Sequence, residues 1–460
     1  MKNTFLIGFI ILCVVSVSTY GVPPDMVLVP SGEFEMGDFF NEGYWGWDEL
    51  PVHSVKLDSF YIGRYEVTNQ QYCAFLNWAD DNGWVTVTDG VVYKAASGTS
   101  YPYCHTSTSS SYSQIAYTDG VFGVRSKGGR DMSNDPMVEV SWYGAVAYCN
   151  WRSEEEGYER CYDLSTWECD FTKDGYRLPT EGEWEYTARG GLAGKRYPWG
   201  DTIEANQANY LDSGDPYECG AWPYTTPVGF YNGQLHHQSD FSWPCPQDTY
   251  QTMDGSNGFA LYDMAGNVFE WCNDWFDPYF YRITPYPHIN PVGPSSGTIR
   301  VLRGGDWAEP AGPPEGCRVA NRIALDPSQR GHNIGFRVAS VSEPPLQATV
   351  DIDPDTLNLK SKGKWITCYI ELPEGYDVAD IDISTIMLNG QVPAESRPTG
   401  ILDYDGDGIA ELMVKFSRSS VQALLTPGET TELTVTGELV DGTKFEGTET
   451  IRVIDPGKKK

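Results

Sequence analysis

Apolar residues recur three and four apart in three short stretches of this chain, and each stretch carries its own start signal. In "VTNQQYCAFLNWA", Tyr72, Phe75, Leu76 and Ala79 share one helical face, and Thr68 with Gln71 three residues on forms a capping box. "VSWYGAVAYCNW" starts at Ser141 and aligns Trp142, Val146 and Cys149. "RLPTEGEWEYTARGG" offers Thr180 with Glu183 as a second capping box, Trp184 and Tyr186 to bury, and Gly190 as a stop. From about residue 346 onward the period drops to two. "ATVDID", "KWITCYIEL", "TELTVTGELV" and "FEGTETIRVI" alternate apolar and polar positions with many β-branched residues, which predicts an all-β sandwich.

The rest of the chain up to residue 341 is rich in Trp, Tyr and Gly and poor in periodic structure, so turns, aromatic packing and bound ions must hold it. The expected organisation is α+β: a first domain over 25–341, a proline-stiffened linker over 342–348 around "SEPPLQ", and a β-sandwich over 349–455. "PGKKK" reads as a frayed terminus, and no internal repeat suggests a solenoid or propeller.

The first twenty residues change the setting. Lys2 precedes a nearly unbroken apolar run from Phe5 to Val17, followed by small polar residues and Val22-Pro23-Pro24, the grammar of a signal peptide over 1–20. The run is roughly 13 residues, short of the ~20 a spanning helix needs, and no later stretch is long and apolar enough to cross a bilayer. Cys13 lacks the small residue before it that lipoprotein processing requires. The mature protein is therefore expected to be secreted, or to lie in a periplasm or at a cell surface.

A chain of 460 residues with 40% hydrophobic content can bury more than one core. Its formal charge of −32 disfavours nucleic acid and anionic membrane surfaces as partners, and suits divalent cations, calcium first. Without Cys13, ten cysteines remain, with no CxxC pair and no zinc spacing. They are either bridges, with Cys161–Cys169 and Cys219–Cys245 as the local pairs, or buried free thiols packing as small hydrophobes. Familiar catalytic signatures fail: "GGLAGKR" lacks phosphate-loop spacing, GxSxG and HExxH are missing, and the adjacent His236 and His237 point apart in an extended segment.

Oxygen donors cluster in three places. Asn267 and Glu270 are three apart behind the flexible Gly266, so amide, carboxylate and backbone oxygens can face one cation; alternatively both side chains cap local backbone. Asn209, Asp212 and Asp215 lie within seven residues and read alone as a turn. In the tail, "DYDGDGIAEL" sets Asp403, Asp405 and Asp407 on alternate positions with Gly408 for the bend and Glu411 beyond, a spacing that wraps a loop round calcium. Such close carboxylates otherwise repel one another. Cys368 sits inside a predicted strand and is expected to be buried.

Eight blocks then occur in one order: "MVLVPSGEFEMGD", "YEVTNQQYCAFLN", "PMVEVSWYGAVAYCNW", "YRLPTEGEWEYTARGG", "YPWGD", "NGFALYDMAGNVFEWCNDWF", "LRGGDW" and "NIGFRVA". From Met26 to Val341 the chain resembles the sulfatase-modifying-factor family, which includes the formylglycine-generating enzymes. The resemblance implies a C-type-lectin-like fold stabilised by calcium, with Asn267 and Glu270 in one site and Asn209 and Asp215 matching another at shorter spacing. The tail loop resembles the calcium loops of extracellular β modules. Formylglycine-generating enzymes hold copper between two cysteines after a Gly-Gly block and oxidise a substrate cysteine to an aldehyde, and two thiolates suit Cu(I). An ungapped match puts Glu309 and Pro314 at those two positions and Asp306 where the family has serine. Copper is therefore not expected. The related branch using non-haem iron carries a His-rich helical domain, and no HxxxH occurs here.

The loop "RGGDWAEPAGPPEGCRVANR", residues 303–322, poses the question of function. One reading is a secreted, calcium-stabilised ligand-binding or structural module, with Asp306, Trp307, Glu309, Arg318 and Asn321 facing a peptide, glycan or small molecule. In that reading Arg318 and Arg322 could instead pair with acids such as Glu270. The alternative is a formylglycine-generating-type oxidase with a site rebuilt round Cys317 and a second group such as Cys272. A third is an assembly component that uses the β tail for interaction.

Overall fold

The computed structural model describes residues 26–43, 48–312, 316–341, 345–440 and 443–455. The expected signal peptide, the linker core at 342–344 and the terminal "PGKKK" lie outside the described residues.

The three predicted helices form where their caps place them. Helix α1 (Asn69–Asp81) starts at Thr68, whose side chain accepts from Gln71 N while Gln71 reaches back, and it buries Tyr72, Phe75, Leu76 and Ala79. Helix α2 (Trp142–Glu155) starts at Ser141, which accepts from Gly144 N, and buries Trp142, Val146 and Cys149. Helix α3 (Glu181–Arg189) carries the Thr180–Glu183 capping box and ends on Gly190 in the left-handed region at φ 54°.

Around these helices the chain forms small sheets. Met26–Val29, Phe60–Gly63, Ala339–Ser340 and Tyr176–Arg177 make one four-stranded sheet that joins the two ends of the first region. A second runs in the order Arg322–Leu325, Arg300–Arg303, Phe269–Trp275, Ile334–Gly335. One core gathers Tyr72, Phe75, Tyr148, Trp142, Trp271 and Phe336, and a second packs Trp184 with Val55, Val301 and Cys272.

Beyond residue 345 a six-stranded sheet and a four-stranded sheet share one aliphatic core. Trp365–Glu371 alternates buried and half-buried positions along its length, as period-two patterning demands, and places Cys368 inward with no exposure. Lys444 joins the two regions: its Nζ donates to Gly157 O at 2.7 Å and lies 3.6 Å from the centroid of the Tyr158 ring.

Cysteine pairing follows the expectation at one pair and corrects it at the other. Cys219 and Cys245 are bridged, with Cα atoms 5.0 Å apart. Cys161 and Cys169 are free. The hairpin register sets Cys169 opposite Tyr162, and Cys161 opposite Asp170, whose N donates to Cys161 O at 2.7 Å. Neighbouring strand positions point to opposite faces, so nearness in sequence does not bring these two thiols together.

Candidate functional site

The strand Arg300–Arg303 runs antiparallel to Phe269–Trp275 and delivers the chain into the Gly-Gly turn. Arg303 is fully buried, bonds Glu185 of α3, and donates to Ala320 O at 2.8 Å and Asn321 O at 2.5 Å. Gly305 has φ +74°, and a Cβ there would come within 3.0 Å of Cys317 Sγ, so the turn admits only glycine. One arginine thus binds both ends of the loop.

The remaining loop side chains turn mostly inward. Asp306 is buried and accepts from Ala308 N and Asn333 Nδ2, both at 2.5 Å; burial pushes its carboxyl up to about 7. Trp307 is buried, and its Nε1 donates to His332 O at 3.3 Å. Arg318 forms a fork with Glu49 at 2.9 Å on both nitrogens, and Asn321 donates to Gly316 O at 2.8 Å. Arg322 grips Glu181 at 2.7 and 2.6 Å, so the acids that pair with Arg318 and Arg322 are Glu49 and Glu181. Of the five residues expected to face a ligand, Glu309 alone keeps substantial exposure.

Cys317 is completely buried and free. Burial raises its thiol pKa well above the usual value, and the neighbouring Asp306 and Glu309 raise it further. A nucleophilic cysteine needs cationic surroundings that favour the thiolate; these favour the thiol. Cys272 is likewise buried and free, acted on first by burial and then by Asp274 and Glu181. The donor set round Cys317 does not fit a bis-thiolate copper centre.

The oxygen cluster behind the loop is organised differently from its sequence spacing. Glu270 is fully buried, paired with Arg337 at 2.6 Å on both oxygens, and accepts from Trp184 Nε1 at 2.8 Å. Asn267, at φ +63°, instead meets Asn209: Asn209 Nδ2 donates to Asn267 Oδ1 at 3.2 Å, and Asn267 N to Asn209 O at 2.8 Å. A Cβ on Gly266 would sit 2.1 Å from that same Asn209 carbonyl, so the close approach requires glycine.

Glu66, missed in the sequence, completes the group: Asn267 Nδ2 donates to Glu66 Oε1 at 3.1 Å. Burial raises Glu66 well above the carboxylate range, and Asp263 beside it rises to about 6 for the same first cause. Glu66 Oε2 and Asn209 Oδ1 are buried with no hydrogen-bond partner. Two orphaned acceptors and two uncomfortable carboxyls fit a hard cation such as calcium. The only sequence signal for Glu66 is an acid placed two residues before the α1 capping box. Asp215 lies apart, accepting from Tyr217 N at 2.7 Å and Ser213 Oγ at 2.9 Å, with its carboxyl pushed up to about 7 by burial.

In the tail, carboxylate oxygens of Asp403, Asp405 and Asp407 lie within 4.8 Å of one another, as do those of Glu371, Asp405 and Glu411. Glu371 comes from a different strand, which spacing within "DYDGDGIAEL" could not reveal. Glu411 is buried and accepts from Tyr404 N at 2.7 Å.

Residues 15–341 match the sulfatase-modifying factor enzyme 1-like domain. The chain is 35% identical over 321 residues to a formylglycine-generating enzyme of Streptomyces coelicolor, covering 68% of this chain and 88% of the relative. It is 29% identical over 338 residues to the inactive C-alpha-formylglycine-generating enzyme 2 of Bos taurus, covering 71% and 91%. Among solved structures it resembles PvdO from Pseudomonas aeruginosa, at 27% identity and a TM-score of 0.43, over 69% of this chain and 94% of that one. The chain belongs to the sulfatase-modifying-factor family.

Proposed function

We propose that this family member is an exported, calcium-stabilised binding module that has given up cysteine oxidation. The observation carrying the reading is the state of Cys317: a free thiol, sealed from solvent, with the carboxyl groups of Asp306 and Glu309 among its neighbours. Copper chemistry of the formylglycine-generating kind uses two thiolates, and Glu309 and Pro314 occupy the matching positions. The buried Arg303, Arg318 and Arg322 pairs make the Gly-Gly loop a rigid support.

Calcium would be held in the first region by Glu66, Asn267 and Asn209, with Asp263 beside them, and in the tail by Asp403, Asp405, Asp407 and Glu411. The cation would supply charge neutralisation and rigidity. The small sheets and short helices support a C-type-lectin-like architecture, and two sheets over one aliphatic core support a sandwich for the tail. The apolar start of the chain supports export.

The 35% identity to a relative named as a formylglycine-generating enzyme favours the second reading, an oxidase with an altered site. Aerobic assay of copper-loaded protein with a cysteine peptide separates the two. The binding reading predicts no aldehyde above a no-protein control. Aldehyde that disappears in Cys317→Ser would establish the oxidase.

A further inference from the structure

Beside the sealed loop lies a group of open rings. Trp222, 44% exposed, stacks on His332 with centroids 5.4 Å apart and planes at 16°. Tyr112, 36% exposed, lies 5.0 Å from His332 and 6.2 Å from Trp222. Trp307, buried, supports both partners, with its ring 5.3 Å from Trp222 and 5.3 Å from His332. Burial, then Lys127, hold the His332 pKa below its usual value, so at neutral pH its ring is an uncharged aromatic surface.

The charges here run against the rest of the molecule. In a chain of net charge −32, the rings are accompanied by Lys127, whose Nζ lies 5.9 Å from the Tyr112 centroid. Burial pushes Lys127 down to about 8, and Arg125 and Arg130 add to the shift. Glu139 accepts from Ser110 Oγ at 3.0 Å and lies within electrostatic reach of Lys127, and Asp306 accepts from Asn333. Lys127 Nζ donates to Ser111 O at a long 3.5 Å, and a cation so placed beside exposed rings suits a ligand with a flat apolar face and an oxyanion.

We propose that Trp222, Tyr112 and His332, with Lys127 alongside, bind a short saccharide carrying a sulfate or carboxylate. This rests on the reading of the chain as a binding module. The sugar's C–H face packs on the rings while the oxyanion takes the ammonium donor. The overall negative charge repels long polyanions, so the ligand is one or two sugar units rather than a polymer.

The test uses the full chain, with tryptophan quenching and calorimetry, against four probes: N-acetylgalactosamine 4-sulfate, its neutral counterpart N-acetylgalactosamine, digalacturonate, and AMP. Saturable binding of the sulfated probe, of digalacturonate, or of both is expected, and identifies which oxyanion is read. The neutral counterpart should bind about ten-fold more weakly. Trp222→Ala and Lys127→Gln should each weaken the anionic probe about ten-fold with unchanged thermal midpoints, since both side chains are partly or largely solvent-facing. Failure of both anionic sugars to saturate, indifference to Trp222→Ala, or tighter binding of AMP than of either sugar would overturn the proposal. Aldehyde formation by the same preparation would overturn the binding-module reading separately, whatever the titrations show.

Discussion

The two regions of this protein solve the problem of burial in opposite ways. Up to residue 341 the interior holds arginine–carboxylate pairs: Arg130–Asp135, Arg177–Glu183, Arg303–Glu185–Arg189, Arg318–Glu49, Arg322–Glu181 and Arg337–Glu270. Beyond residue 345, among the described residues, the buried interior is aliphatic apart from Phe416, Phe445, Cys368 and the one acid Glu411. Buried pairs add little net stability over apolar packing but are costly to break singly, because a bare charge stays behind. The first region has used that cost to fix irregular loops, whereas the second needs only alternating strands.

The sharpest way to break this contrast is Glu185→Ala. Glu185 serves both Arg189 and Arg303; burial alone would raise its pKa, and the two guanidinium groups reverse that. Its loss strands two buried cations, so a cost of about 3–5 kcal/mol or outright unfolding of the first region is expected. Tryptophan fluorescence reads it, because Trp365 is the only tryptophan beyond residue 341. The tail's circular-dichroism transition should persist.

Calcium comes next. At a concentration a hundred-fold above its Kd, the ion should stabilise the first region by about 2.7 kcal/mol in urea titrations. Glu66→Gln should remove that gain in the tryptophan signal, and Asp405→Asn should leave it. A gain that survives Glu66→Gln would place the cation elsewhere.

Acidity supplies a smaller effect. Asp306 titrates near 7 when folded, above its ordinary value, because burial disfavours its charge. The folded state therefore holds a proton the unfolded state has released, and the resulting stability, complete in acid, is lost as pH rises from about 4 through 7. The slope is at most about 1.4 kcal/mol per pH unit. Asp306→Asn should flatten the stability profile over that window while leaving the regions' order of unfolding unchanged. Smallest of all, Ile352→Val in the tail should cost about 1 kcal/mol, the ordinary toll of one methylene in an aliphatic core.

The same contrast governs what could be read from sequence. Caps such as Thr68–Gln71 and Thr180–Glu183 act over three residues, and period-two strands announce themselves, so the helices and the tail's strands were legible. Arg318 and Glu49 are 269 positions apart, and Glu66 and Asn267 are 201 apart, so no spacing rule connects them. Asp306, Trp307, Arg318 and Asn321 were expected to face a ligand because polar and aromatic residues in a glycine-rich loop usually do. Arg318 and Trp307 turn inward to partners in other segments, Glu49 and His332, while Asn321 is held within the loop by Gly316 and Asp306 by both Ala308 and Asn333. Glu270 shows the same limit, since Arg337 rather than Asn267 claims its carboxylate.

The central claim is that the family's scaffold persists here round a thiol that cannot act. Its most direct test is to incubate the copper-loaded full chain aerobically with a cysteine peptide and assay the peptide by aldehyde-trapping mass spectrometry. The account predicts unmodified peptide and no difference between the natural protein and Cys317→Ser. Aldehyde from the natural protein that is lost in Cys317→Ser would contradict it.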